Sequence, residues 1–370
     1  MAARIPTVEI ETLEGLDARL ADTRSLRGCA VQSVDLTGRA DALRGTAVSG
    51  ALFLGCAMPV SLEEDLTSRG ALVFPPLPDL PFNPYRAALY KADELYDTMA
   101  ADTSAKYATT LDGRVYAWYM AKGRRAALPD GLGMSLHDQA IGEAMDDLLA
   151  VVEAPLVGVM GGHGTLRGDG DYRLAVSLGA QLARAGRCVV TGGGPGTMEA
   201  ANLGARLAHC PGSAIDAAVD ALAVVPDCHG DVTAWAQVAL QVAAGDPGDA
   251  PTLAVPTWFY GHEPPNVFAT HIAKYFSNAL REDVLLARCR GGLIVLPGAA
   301  GTVQEIFQSA TRNYYADAEL VTPVVLVGRD YWTRTLPAWP LLQGMAEGRA
   351  MRGRIRLVDA ADEAVAALDA

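Results

Sequence analysis

The chain has 370 residues, half of them hydrophobic and a fifth charged, which excludes a disordered polymer and leaves room for two domains. Acidic residues outnumber basic ones 43 to 30, for a net charge of −13. This balance argues against a polymeric nucleic acid as partner, because such binding draws on clustered lysine and arginine. It leaves a small phosphate ligand open, since a few backbone N–H groups can hold one.

Taken in chain order, residues 1–20 (MAARIPTVEIETLEGLDARL) are broken by charges and lack the apolar stretch of a signal peptide. No run approaches the roughly 18 apolar residues of a membrane span. A cytoplasmic protein with no membrane partner is the expectation. Short strands are predicted at 29–36, 50–58 and 71–77, then a proline-rich stretch from Pro75 to Pro84. Helices are predicted over 86–101 and 135–152, the second opening at Ser135 as N-cap. Turn residues between Gly113 and Gly133 place a domain boundary near residue 130, giving an N-terminal α/β domain of no assigned role (1–130) and a second domain (131–370). No internal repeat is evident.

From Pro155 onward strand and helix patterns alternate. Strands are predicted at 155–160, 187–191, 221–225, 252–256, 291–296, 322–328 and 354–359, with helices over 171–185, 197–208, 266–288 and up to Asn313. Two further helices are expected between and after the last two strands. Alternation with fully apolar strands implies a doubly wound, Rossmann-like parallel sheet with a smaller N-terminal α/β appendage. Ligands of such sheets sit outside the carboxyl ends of the strands.

The six cysteines (Cys29, Cys56, Cys188, Cys210, Cys228, Cys289) form no C-x-x-C pair and no metal-ligand spacing. Reduced thiols are expected, with neither metal nor cofactor. Only Lys91, Lys106, Lys122 and Lys274 are lysine, so lysine-dependent chemistry has few candidates.

Three glycine turns follow predicted strands. GVMGGHGT (158–165) supplies Gly161 and Gly162, and reads equally well as a tight turn; His163 within it reads as a loop residue. TGGGPGTMEAANLGA (191–205) supplies Gly193, Gly194 and Gly196 ahead of a helix whose open N–H groups suit an anion. Glu199 in its first turn can serve ribose hydroxyls or merely complement the helix dipole. LPGAAGTVQEIF (296–307) supplies Gly298, Ala300, Gly301 and Thr302 as a phosphate seat, with Glu305 one turn on; the competing reading of T-x-x-E is a capping pair.

GGGPGTMEAAN together with PGAAGTVQE resembles the LOG family, long labelled "lysine decarboxylase", across roughly residues 150–330. The resemblance implies hydrolysis of a nucleoside 5′-monophosphate, of cytokinin type or an ordinary nucleotide, to free base and ribose 5-phosphate. It also implies a homodimer or higher homo-oligomer. It implies a functional arginine upstream of the third turn, matched by Arg281, sixteen residues before Pro297. Two positions depart from the family pattern: Glu282 replaces a lysine, and Ala299 replaces the second glycine of PGG. A φ > 0 requirement at Ala299 would cost roughly 1–2 kcal/mol.

Breaking an N-glycosidic bond builds positive charge on the anomeric carbon, which a carboxylate can stabilise while it handles the water proton. Glu305 is assigned that role, Glu199 the ribose hydroxyls, and Arg281 the phosphate or the departing base. The alternative is a nucleotide sensor without turnover. A pyridoxal-phosphate decarboxylase would need a Schiff-base lysine, for which the motif region offers only Lys274, expected on a helix. The loop WFYGHEPPN (258–266) can stack on a base or pack internally. An apolar helix around Ile272–Leu286 is a candidate subunit contact.

Overall fold

The computed structural model describes residues 7–245, 248, 250–259 and 263–369. They divide into two units, each discontinuous in sequence: Met1–Ala88 with Met120–Asp147, and Leu89–Tyr119 with Leu148–Ala370. Residue 130, expected to mark a boundary, lies inside the helix Leu128–Val151. The division falls elsewhere because residues 89–119 join the second unit. Tyr90 exchanges backbone hydrogen bonds with Ile272, and Asp112 pairs with Lys274.

In the first unit, β1 (Val8–Ile10), β2 (Cys29–Gln32), β3 (Leu52–Leu54) and β4 (Leu72–Phe74) form a parallel sheet in the order β1-β2-β3-β4. The register pairs Val8 with Cys29, Ala30 with Leu52, and Leu52 with Leu72. Each strand is thus the previous one displaced by about 21 residues, the period of a β-α solenoid turn. This corrects the expectation of no internal repeat. The repeat is marked by Gly28, Gly50 and Gly70, which precede successive strands at φ +70°, +77° and +85°. Leu16, Leu43, Leu62 and Leu66 from the intervening helices bury against Ile10, Val31 and Phe53. β1 itself went unpredicted, because the alternation Val8-Glu9-Ile10-Glu11 is too short to stand out as a strand.

The second unit carries β5 (Leu156–Met160), β6 (Cys188–Thr191), β7 (Thr252–Ala254), β8 (His271–Ile272), β9 (Gly292–Val295), β10 (Val324–Val327) and β11 (Ile355–Val358). All pair in parallel, in the order β11-β10-β9-β5-β6-β7-β8. The chain runs from β5 outward to β8, then returns beside β5 with β9 and runs outward the other way. The strand order therefore reverses between β5 and β9, and a crevice at that switch point is where such sheets take ligands. The expected α/β class and doubly wound parallel sheet are present.

Several predicted elements differ. Residues 221–225 end the helix Gly212–Leu222 rather than form a strand, because the alanine-rich run before them is a strong helix former. The expected helix over 266–288 is split: His271–Ile272 pairs with β7, and a helix starts only at Asn278, where the Ser277 side chain accepts the Leu280 N–H. The segment around Ile272–Leu286 is therefore not one helical face. Residues 86–101 give two short helices, Ala92–Leu95 and Asp97–Ala101. Ser135 is interior to its helix and bonds back to the Gly131 carbonyl instead of capping. The stretch after Gly113, read as turns, belongs to the helix Leu111–Lys122. No described helix is long and apolar enough to cross a membrane.

Candidate functional site

Because β9, β5 and β6 are neighbours, the three glycine turns come together at their carboxyl ends. Gly162 N–H donates to the Pro297 carbonyl (2.9 Å), and Thr197 N–H donates to the Gly162 carbonyl (3.1 Å). The first turn is thus held between the other two. The Thr165 and Thr197 hydroxyls add a 3.0 Å hydrogen bond.

The second turn is pinned from below. Gly193 N–H donates to Thr191 Oγ1, while Asn266 donates its N–H to the Gly193 carbonyl and its side-chain amide to the Gly194 carbonyl. Gly196, at φ +69°, is the N-cap of the helix Thr197–Arg206. A Cβ there would stand 2.6 Å from the Gly162 carbonyl oxygen and 2.7 Å from that of His163, so no other residue fits. Gly161 serves packing as well, since a Cβ would meet Thr197 Cγ2 at 2.5 Å.

The third turn opens into the helix Ala300–Tyr315. Its first bond runs from Val303 N–H to the Ala299 carbonyl, which leaves the N–H groups of Ala300, Gly301 and Thr302 as open donors. Thr302 is the third helical residue, so Thr302 and Glu305 are not the capping pair that T-x-x-E allows. The Thr302 hydroxyl instead lies against Gly298, where a Cβ would be 2.2 Å from it, and Tyr331 donates to the Gly298 carbonyl (2.7 Å). Ala299 sits at φ −99°, a backbone open to any residue, so the positive-φ cost does not arise.

Beside these turns stands the pair the sequence pointed to. Arg281 NH1 is 4.0 Å from Glu305 Oε1, and both side chains are at most a tenth exposed. The same NH1 lies 3.6 Å from where a Gly192 Cβ would project, which sets the guanidinium against the second turn. Arg281 NH2 bonds Asn278 Oδ1 (2.9 Å) and pairs with Glu282 Oε1 (3.1 Å). Burial, then the neighbouring charges of Glu282 and Glu263, push the Glu305 carboxyl up to about 8 against the pull of Arg281. Burial also raises Glu282.

Glu199 is placed differently. It is fully buried, with both oxygens on Arg167 (2.9 and 2.5 Å) and one also on the Tyr172 hydroxyl (3.1 Å). Arg167 in turn lies over the Trp235 ring at 4.5 Å and donates to the Val225 and Trp235 carbonyls. This network ties the loop after the first turn to the second helix, and it occupies the carboxylate that was assigned to ribose hydroxyls.

Sequence reasoning passed over His163 and Glu263. His163 Nδ1 lies 3.2 Å from Glu263 Oε1, and Glu263 Oε2 lies 3.4 Å from where a Gly194 Cβ would project. Their link joins the first turn to the loop after β7, a pairing with no signature in sequence spacing. Of that aromatic loop, Trp258 is buried against Phe276 (centroids 4.6 Å) and donates to Asp112, so it packs internally; Tyr260, Gly261 and His262 lie outside the described residues. Lys274 is not on a helix. It is buried on Asp112 (2.5 Å) and 4.9 Å from the Trp258 ring centre, which commits the amine to an ion pair. Among the described residues no cluster of three metal-ligating side chains occurs.

Residues 154–212 match the model of the SLOG cluster4 family, and residues 243–369 match that of the family described as possible lysine decarboxylase. No protein of curated function matches. Among solved structures, the chain is similar to the molybdenum cofactor binding protein of the phototrophic bacterium Rippkaea orientalis, at 16% identity, 59% coverage of this chain, 96% of that chain and a TM-score of 0.36. It is also similar to the Moco carrier protein of Chlamydomonas reinhardtii, at 17% identity with coverage of 59% and 96% and a TM-score of 0.36.

Proposed function

We propose that this chain, which belongs to the LOG family through residues 154–212 and 243–369, binds a nucleoside 5′-monophosphate at the three glycine turns and hydrolyses its N-glycosidic bond. The products are free base and ribose 5-phosphate. The phosphate seat is the open start of the helix Ala300–Tyr315, with Gly298, Gly301 and Thr302, and the sugar lies toward Gly162, Gly193 and Gly194. The observation that carries this reading is the approach of Arg281 to Glu305, from two helices, beside that seat.

A permanently charged guanidinium stabilises the phosphate or the departing base, while a buried carboxyl at the anomeric carbon handles charge and proton. The ligand is a small molecule, and a homo-oligomer follows from the family resemblance as part of the same proposal. Incubation with a panel of nucleoside monophosphates tests it. Release of base and ribose 5-phosphate by the wild type but not by Glu305→Gln supports the reading, and absence of release from every nucleotide overturns it.

One observation favours a binder without turnover: Arg281 already engages Glu282 and Asn278. In that case nucleotide raises the melting temperature while no base is released.

A further inference from the structure

Arg281 is one cation with a carboxylate on either side. Glu282 Oε1 stands 3.1 Å from its NH2 and Glu305 Oε1 stands 4.0 Å from its NH1, with side-chain exposures of 7% for Arg281, 3% for Glu282 and 10% for Glu305. The second oxygen of Glu282, Oε2, is buried and has no hydrogen-bond partner among the described residues. Away from water one guanidinium balances one carboxylate, and leaving a second ionised beside it is costly. Carboxylates that share a site resist ionising together.

We propose that Glu282 and Glu305 act as one couple across Arg281: Glu282 stays ionised on the guanidinium and thereby keeps a proton on Glu305, so that Glu305 begins the reaction as an acid. The chemical part of this rests on the hydrolase reading above. As the bond between the anomeric carbon and the base nitrogen breaks, its electron pair leaves with the base, and the proton on Glu305 passes to that nitrogen. A water oxygen bonds to the anomeric carbon and gives a proton to the Glu305 carboxylate, which restores the acid. Glu282 touches no reacting atom in this sequence and is a positioning residue, acting through Arg281 and Glu305.

The groups whose charge bears on Glu305 are Arg281 and Glu282 from the helix Asn278–Arg288 and Glu263 from the loop after β7, with the buried Cys289 thiol also within electrostatic reach. Burial, followed by Glu282 and then Glu263, sets the direction of the Glu305 shift, upward to about 8. The couple therefore holds its proton at neutral pH and loses it in mildly alkaline solution.

Carboxyl-carbon NMR titration of the full chain reads the couple without reference to turnover. In Glu282→Gln the Glu305 carboxyl is expected to titrate at lower pH than in the wild type. The alkaline fall in kcat/KM is expected to move to lower pH with it. An unchanged Glu305 titration in folded Glu282→Gln overturns the couple. If that variant does not fold, Glu305→Gln supplies the mirror measurement: the Glu282 carboxyl is expected to titrate at lower pH, and an unmoved Glu282 overturns the couple. Titrations that move in a wild type that releases no base uphold the couple and overturn the hydrolase reading. Turnover with unmoved titrations does the reverse.

Discussion

Glu305 is a carboxyl whose proton is worth more to the folded chain than to the unfolded one. Its folded value of about 8 lies above the ordinary 4.5, so between those two the folded state binds the extra proton. Stability from this group is therefore full below about 4.5 and is lost as pH rises through about 8. Glu305→Gln is expected to flatten that part of the stability–pH curve, measured by urea denaturation across the range. It is also expected to lower kcat/KM by about 10²–10⁴-fold, the usual worth of a positioned proton-transfer group. Glu199, although it too follows a glycine turn, answers to a different test. Glu199→Ala strands the buried Arg167 guanidinium and should cost about 3–5 kcal/mol in denaturation, the penalty of an unpaired buried charge. A loss confined to ligand affinity, with stability intact, would show instead that Glu199 faces the ligand. Arg281, named from the family resemblance, and Glu305, named from the third turn, lie 4.0 Å apart because the helices before and after β9 both border that turn. The sequence left Glu199 open between two roles because its partner Arg167 lies 32 positions away in the chain, a pairing that spacing alone does not reveal.

Among the elements, the glycine turns divide by what surrounds each position. Gly196→Ala forces a side chain into a backbone conformation held by glycine and against two carbonyl oxygens, and should cost about 1–3 kcal/mol or more. Gly301→Ala meets open space inside a helix and should stabilise by roughly 0.5–1 kcal/mol, although it borders the phosphate seat. Thermal or urea denaturation of the two variants checks the contrast; equal effects would mean that the turns are not packed as described. The turns were legible because strand-end glycines ahead of helices are a local signal. The strand His271–Ile272 was not, since a two-residue strand exists only by pairing with distant segments, β7 and Tyr90, and lies inside a pattern that also suits a helix. Likewise the solenoid repeat is visible in retrospect as Gly28, Gly50 and Gly70 ahead of short apolar runs, but the intervening helices differ in length and hide the period.

For the whole molecule, the two units have different sequence signatures and the family match lies within the second. Residues 89–119 join that second unit through contacts no local pattern announces, chiefly Asp112 with Lys274 and Trp258. Asp112→Ala should destabilise by about 3–5 kcal/mol, and combining Asp112→Asn with Lys274→Met should recover much of that loss, because the charge and its partner leave together. Calorimetry of the single and double variants measures the coupling, and simple additivity would contradict it. The net charge of −13 also finds its place. That charge argues against a nucleic acid polymer as partner, whereas the proposed nucleotide needs only helix N–H groups and one arginine. The central claim is most directly tested by incubating wild type and Glu305→Gln with the nucleoside 5′-monophosphates and assaying base and ribose 5-phosphate. Release by the wild type alone is the predicted result, and either no release from any nucleotide or undiminished release by Glu305→Gln would contradict it.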